Sequence, residues 1–152
     1  MPNWIEGTLK VRGKKDNLIN FLENGISKNS FQEGTDEKMV TFDFDGDYCE
    51  VEIASEAYIS DTKRAFVNEH CWVNFDNDID TICIPIKQAW GFVREDWTNI
   101  SNKYDVDVRL YGFEGGGQFC QEIEIIKGLV TLSSTIQYTD WKWDCPMPTL
   151  GG

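Results

Sequence analysis

Two segments of the chain carry apolar residues at three- and four-residue steps. These positions are Leu18, Ile19, Phe21 and Leu22 in the first segment and Phe92, Val93, Trp97, Ile100 and Tyr104 in the second. An apolar stripe with this period is typical of an amphipathic helix packed against a core. The pattern therefore predicts helices over 14–24 and 93–103. Gly25 is placed where a left-handed residue would end the first helix.

Other segments alternate apolar and polar residues, which is the pattern of strands with one exposed side. They are 8–12, 39–44, 50–54, 81–86, 106–110, Phe119–Ile126 and 129–138. Turn sequences at 45–47 and at 127–128 join neighbouring strands into two hairpins. Pro85 is expected to end its strand because proline lacks a ladder donor. Between 55 and 75 the pattern is weaker and fits either short strands or a short helix at 61–68.

The order of elements predicts a single α+β domain over 1–152. Two helices on one face of a mainly antiparallel sheet would form a ferredoxin-like β-α-β-β-α-β core, extended by a C-terminal hairpin. A tail rich in Pro, Gly and Trp follows over 139–152. The chain has 152 residues, of which 41% are hydrophobic, so it can bury a core without disulfides or metals.

Charge limits the classes of partner. The formal net charge is −12, so the chain is expected to repel nucleic-acid phosphates and to attract basic proteins. No signal peptide and no membrane-length apolar run is evident, and the five cysteines contain no C-x-x-C pair. We therefore expect a cytoplasmic protein with no membrane partner.

No segment of the sequence has the residue spacing of a known catalytic, metal-binding or phosphate-binding motif. Two runs of alternating acids, starting at Asp43 and Asp76, lack the glycine and closing glutamate of a calcium loop. His70 and Cys71 are adjacent, so in a strand they point to opposite faces and cannot form a catalytic pair. The glycines at 115–117 lack the following Lys and Ser or Thr of a phosphate loop. The sequence predicts no catalytic, metal-binding or cofactor-binding residues.

Acidic residues are concentrated between positions 36 and 80, which hold 13 of the 26 acids and three bases. Alternation places Asp43, Glu50 and Glu52 on the exposed side of the first hairpin. Such a surface could meet a basic partner, although a solvated sheet face explains it as well. The candidate partner-binding residues are Asp43, Asp45, Asp47, Glu50, Glu52, Asp76, Asp78 and Asp80. The basic positions 10, 12, 14 and 15 could pair with them within one molecule or between copies.

The tail contributes two tryptophans as candidate anchors. Trp141 and Trp143 are two positions apart and would face the same side of an extended segment. Tryptophan is favoured at the centre of protein interfaces. A strap that folds back over the core is an equally consistent interpretation.

Several short motifs occur in the order found in a known family. They are Met1-Pro2-Asn3-Trp4, the segment 7–13 before the first helix, Ala89-Trp90-Gly91, the helix end at 101–104, the strand through 111–114, Trp143-Asp144-Cys145-Pro146 and Leu150-Gly151-Gly152. On these residues the chain resembles the YubB-like family with a ferredoxin-like domain. That family often has Cys at the position of Ile5. The resemblance implies an accessory protein of phages, plasmids and other mobile elements, with no known reaction.

Three functional hypotheses follow. The first is a non-enzymatic binding protein that inhibits a host nucleic-acid-binding defence complex, as anti-CRISPR proteins do, by occupying its basic groove. The second is a hydrolase or nucleotide-modifying enzyme built on scattered carboxylates, which requires a carboxylate pair in a pocket. The third is a self-assembling module that joins copies through sheet edges or the tail.

Overall fold

The structure is a computed structural model that describes residues 1–27, 38–74 and 78–152, with the backbone alone for 68–70. In these ranges the strands are β1 Trp4–Lys14, β2 Ile26–Ser27, β3 Val40–Asp45, β4 Tyr48–Ile59, β5 Ala65–Asn74, β6 Ile79–Ala89, β7 Asp107–Glu114, β8 Phe119–Ile126 and β9 Leu129–Gln137. The helices are α1 Lys15–Gly25, α2 Arg94–Tyr104 and α3 Trp141–Asp144.

All described strand pairs belong to one antiparallel sheet. Its order is β2-β4-β5-β6-β1-β7-β8-β9, and β3 pairs with β4 beside this path. β1 is central and pairs with β6 on one side and β7 on the other, with Leu9 opposite both Ile84 and Leu110. These three residues alternate to the same face and are buried. The first strand therefore sets the register for both halves of the sheet.

The two longer helices cover the face on which Leu9 lies. Leu18 and Leu22 of α1, together with Trp97 and Ile100 of α2, belong to the same buried cluster as Leu9. Their spacing is the helical period that the sequence shows. α2 ends at Asp105, whose left-handed backbone (φ 53°) closes the helix. We call this side of the sheet the helical face and the other side the open face.

The C-terminal tail closes on one end of the open face. Trp141 packs there with Phe113, Cys120 and Cys145 in a second, smaller cluster. Beyond α3, the backbone of Gly152 exchanges two hydrogen bonds of 3.0 Å with that of Trp4, at the start of the central strand. The tail is therefore tied to β1 by backbone pairing as well as by apolar contact.

The predicted ferredoxin-like core is wrong. The described residues form a nine-stranded sheet with three short helices, which a unit of four strands and two helices does not describe. The difference arises mainly between 55 and 74, where 55–59 form the end of β4, 60–64 form a turn and 65–74 form β5. A bulge between Ile53 and Ala57 leaves positions 54–56 exposed. Three consecutive exposed positions interrupt the alternation of buried and exposed residues, so the sequence pattern does not predict one continuous strand.

Two local predictions also differ. Gly25 lies inside the end of α1 and has no left-handed backbone, because the chain passes directly into β2. A side chain at Gly25 would press on the rings of Phe21 and Tyr104, so close packing explains the glycine there. Pro85 does not end its strand, since β6 continues to Ala89.

Both predicted hairpins are confirmed in position. β3 and β4 turn at Gly46, and β8 and β9 turn at Lys127 and Gly128, both of which have positive φ. Positive φ at both central residues is the geometry of the tightest hairpin turns. The positions of these two hairpin turns were therefore predictable from the turn residues that separate alternating segments of the sequence.

A pair of glycines lets β1 and β7 approach closely. Gly7 lies opposite Gly112, and a side chain at Gly7 would collide with the carbonyl oxygen of Tyr111. A side chain at Gly112 would meet the ring of Phe92, which leads into α2. The absence of a side chain at Gly112 therefore lets the segment before α2 pack against the sheet.

We expect Gly7→Ala to lower the free energy of unfolding by about 2–3 kcal/mol, because backbone atoms must move to admit the methyl group. Gly46→Ala is the matched control, since Gly46 has open space around it and only its positive φ to oppose the change. Its cost should be about 1 kcal/mol. Urea unfolding measures both variants, and equal losses would contradict the close approach at Gly7.

Candidate functional site

Acidic side chains lie together on the open face of β3 and β4. Asp43 is directly opposite Glu50, and Thr41 is opposite Glu52. The residues that alternate with these acids in β4 are the buried Cys49, Val51 and Ile53. Alternation therefore assigned Asp43, Glu50 and Glu52 to the exposed side correctly. Like charges directly opposite each other are by themselves unfavourable for strand pairing.

Two exposed aromatic rings extend the acidic residues across the sheet. Tyr48 is 45% exposed and Trp72 is 54% exposed, and their rings stack with centroids 5.4 Å apart. Trp72 lies opposite Glu50, and Tyr48 lies opposite Asp45. We call the residues Asp43, Asp45, Tyr48, Glu50, Glu52 and Trp72 the acidic–aromatic surface.

Sequence reasoning missed the aromatic part of this surface. Trp72 falls in the segment whose pattern was too weak to assign, so its face was not known. Once β5 is a strand, Trp72 alternates with the buried Cys71 and Val73 and must point to the open face. The signal was present in the alternation but required the strand assignment first.

The remaining predicted acids have different surroundings. Asp47 lies in the exposed β3–β4 turn, and Asp78 is exposed before β6. The carboxylate of Asp80 accepts hydrogen bonds from the backbone N–H groups of Asn74 (2.8 Å) and Thr81 (2.7 Å), so it links the end of β5 to the start of β6. Asp76 lies outside the described residues.

The two candidate anchor tryptophans are separated by their local structure. Trp141 and Trp143 lie in the short helix α3 rather than in an extended segment. Trp141 is 8% exposed and donates from Nε1 to the carbonyl oxygen of Pro148 (2.9 Å), whereas Trp143 is 86% exposed. Trp141 therefore fastens the tail, and Trp143 alone projects from it.

The glycine loop between β7 and β8 is occupied by the protein itself. The buried carboxylate of Glu114 accepts hydrogen bonds from the backbone N–H groups of Gly116 (2.7 Å) and Gly117 (2.5 Å). Backbone amides of this kind are what a phosphate would need. Among the described residues, no group of three or more His, Cys, Asp or Glu side chains is placed to hold a metal ion.

The cysteines differ in exposure. Cys49, Cys71, Cys120 and Cys145 are buried and Cys83 is exposed, and all five are free thiols. Burial, with a smaller contribution from the neighbouring Cys49 and Cys83, raises the pKa of the Cys71 thiol from 9.0 to about 12. Since the thiolate is the nucleophile, Cys71 is protonated and unreactive at neutral pH.

A group of cationic and aromatic side chains lies together near the start of the central strand. The guanidinium of Arg64 lies 5.5 Å from the ring centroid of Trp4 and 5.7 Å from that of Trp90, and the Lys87 amine lies 5.2 Å from the Trp4 ring. These residues come from β1, the β4–β5 turn and the end of β6. No spacing in the sequence indicates that they meet.

Comparison with family models, with curated proteins and with solved structures finds no match to this chain. The resemblance to the YubB-like family therefore stays a prediction. Of the helices in the described ranges, none has the length and apolar character required to cross a bilayer.

The raised pKa of Cys71 leads to a prediction about stability at alkaline pH. Below pH 9 the thiol is neutral in both folded and unfolded chains, so its contribution is fully present. Between pH 9 and about 12 only the unfolded chain is deprotonated, so this contribution is lost as the pH rises. Cys71→Ala should therefore reduce the loss of unfolding free energy by up to about 1.4 kcal/mol per pH unit over that window.

Urea unfolding at several pH values, with a reductant present, measures this slope. Cys83→Ala is the matched control because Cys83 is exposed. A slope in Cys71→Ala that equals those of Cys83→Ala and of the unchanged protein would disprove the buried-thiol linkage.

Proposed function

We propose that this chain is a non-enzymatic binding protein whose acidic–aromatic surface docks onto a basic surface of another macromolecule. The observation that supports this proposal is the union of acids and stacked, exposed rings on the open face of β3, β4 and β5. Aromatic side chains supply apolar contact area at interfaces, and the carboxylates supply electrostatic complementarity.

The local concentration of acids supports an interface over a merely solvated face. Asp43 faces Glu50 directly as a like-charged acidic pair, whereas two arginines elsewhere on the open face are paired with acids. Arg109 is bonded to Glu122 and to Glu124, and Arg12 is bonded to Asp107 at 2.8 Å. Opposite charges attract across an interface, so the acids at Asp43 and Glu50 would attract a partner's cations.

The nature of the partner follows from charge and from the expected setting. A regular array of carboxylates can occupy a groove that normally holds a phosphate backbone. The mobile-element setting, which rests on the resemblance alone, directs the choice to a host nucleic-acid-binding defence complex. A cytoplasmic location is part of the same proposal.

Charge reversal tests the surface. We expect the triple variant Asp43→Lys, Glu50→Lys and Glu52→Lys to weaken binding to a basic partner by at least about tenfold, because each lysine removes an attraction and adds a repulsion. The unchanged protein is first used to capture its partner from a lysate of the cells in which the protein naturally occurs. The partner is then identified by mass spectrometry. The affinity is then measured with the two purified proteins.

The matched control reverses three exposed acids outside the surface, with Glu23→Lys, Glu95→Lys and Asp144→Lys. Both triples change the net charge equally, so a general charge effect would weaken both alike and would contradict the proposed surface. Duplex DNA or RNA should compete for the partner, and salt should weaken the complex. A captured partner that keeps its full affinity for the first triple variant would also reject the proposal.

A further inference from the structure

The groove beside Trp4 combines cations, aromatic rings and carboxylates. Its two adjoining parts have volumes of about 330 and 180 Å³ and share the side chains of Glu56, Phe66 and Lys87. One part is lined by Trp4 and Arg64, and the other by Glu6. A cation, Lys87, and a carboxylate, Glu56, therefore line both parts of the groove, with Arg64 added at one end and Glu6 at the other.

Two residues that line this groove, and Trp90 beside it, have a left-handed backbone. Glu56, Arg64 and Trp90 have φ values of 59°, 56° and 62°. Left-handed backbone costs about 1–2 kcal/mol for a residue other than glycine, and for a bulky residue it is an outlier. Such strain is characteristic of ligand-binding positions. Trp90 is the clearest case, because its ring is 65% exposed and the strained conformation therefore gains little burial.

A buried network holds the turn that carries Arg64. The carboxylate of Asp96 accepts from the backbone N–H of Lys63 (2.8 Å) and from the amide of Gln88 (3.3 Å). Gln88 also donates to the carbonyl oxygen of Lys63 (3.1 Å) and accepts from Nε1 of Trp97 (3.1 Å). The turn is therefore fixed to α2, and the groove is organised before any ligand binds.

The cationic side chains of the groove have N–H groups that can donate hydrogen bonds to a ligand. Among the described residues, no carboxylate lies within ion-pair distance of Arg64, and Lys87 has a single, long contact of 3.9 Å to Glu56. Arg64 instead lies over the Trp4 and Trp90 rings, which favour a cation without using its N–H groups. Guanidinium and ammonium groups in this position bind phosphate oxygens.

We propose that this groove binds a nucleoside monophosphate, with the phosphate on Arg64 and Lys87 and the base against the aromatic rings. The carboxylates favour guanine. Glu6 and Glu56 can only accept hydrogen bonds, and the guanine edge offers two neighbouring donors, whereas the adenine edge offers one donor beside an acceptor. The net charge of −12 opposes a long polyanion but leaves room for one nucleotide on two local cations.

This site is independent of the acidic–aromatic surface. Its lining residues and those of that surface share no member, and the proposed function could fail while the nucleotide still binds. The charge-reversal triple variant should therefore retain nucleotide affinity.

Calorimetry and tryptophan fluorescence with GMP as the probe test the site. We expect saturable binding with a Kd below about 1 mM, weakened at least about tenfold by Arg64→Gln or Lys87→Gln and about fivefold or more by Trp90→Ala. Lys142→Gln and Trp143→Ala are the matched controls, since both residues are exposed in the tail, and they should leave the Kd unchanged. If Arg64→Gln fails to fold, the GMP affinities of Lys87→Gln and Trp90→Ala decide whether the proposal holds.

Three further probes separate the sources of affinity. AMP should bind more weakly than GMP, and inorganic phosphate and guanosine should each bind far more weakly than the intact nucleotide. Equal affinity for inorganic phosphate and GMP would overturn the nucleotide assignment. Absence of GMP binding, or binding of a short polyglutamate peptide in its place, would overturn the proposal as a whole.

Discussion

The pairing of β1 with strands on both of its sides is the constraint on which the rest of the structure depends. β1 lies between β6 and β7, and its alternation decides which residues face the helices and which face the open side. Leu9 and Val11 turn towards α1 and α2, while Trp4 and Glu6 turn towards the groove. The close approach at Gly7 and the backbone bonds between Trp4 and Gly152 fix this strand from within the sheet and from the tail.

The open face of the sheet has three electrostatic regions. Acids and stacked rings occupy β3 to β5, opposite charges are paired at Arg109 and Arg12, and cations lie over aromatic rings at Arg64 and Lys87. The net charge of −12 describes only their sum. A partner meets local fields, because charges separated by more than about 8–10 Å are largely screened at physiological salt. One strongly acidic chain can therefore carry a local excess of acids in one region and local cations in another.

Local patterns predicted the parts of the fold that depend on neighbours in sequence. The helices, the hairpin turns at Gly46 and Gly128 and the exposed side of Asp43 and Glu50 all follow from period and turn chemistry. The ferredoxin-like interpretation failed where a bulge at 54–56 broke the alternation and hid the end of β4 and the start of β5. With β5 unassigned, Trp72 had no known face, and the aromatic half of the acidic–aromatic surface could not be seen.

The sequence by itself determined the class of the elements, the acidic balance and the exposed side of each strand that its alternation made clear. These properties are local, since a period of two or of 3.6 residues requires no knowledge of distant chain. Only the tertiary structure decided that Trp4, Arg64 and Lys87 share one groove with Trp90 beside Arg64, because long-range strand pairing and the Asp96–Gln88 network bring them together. Residues from separate elements can form one site only when the register of the sheet brings them within contact distance.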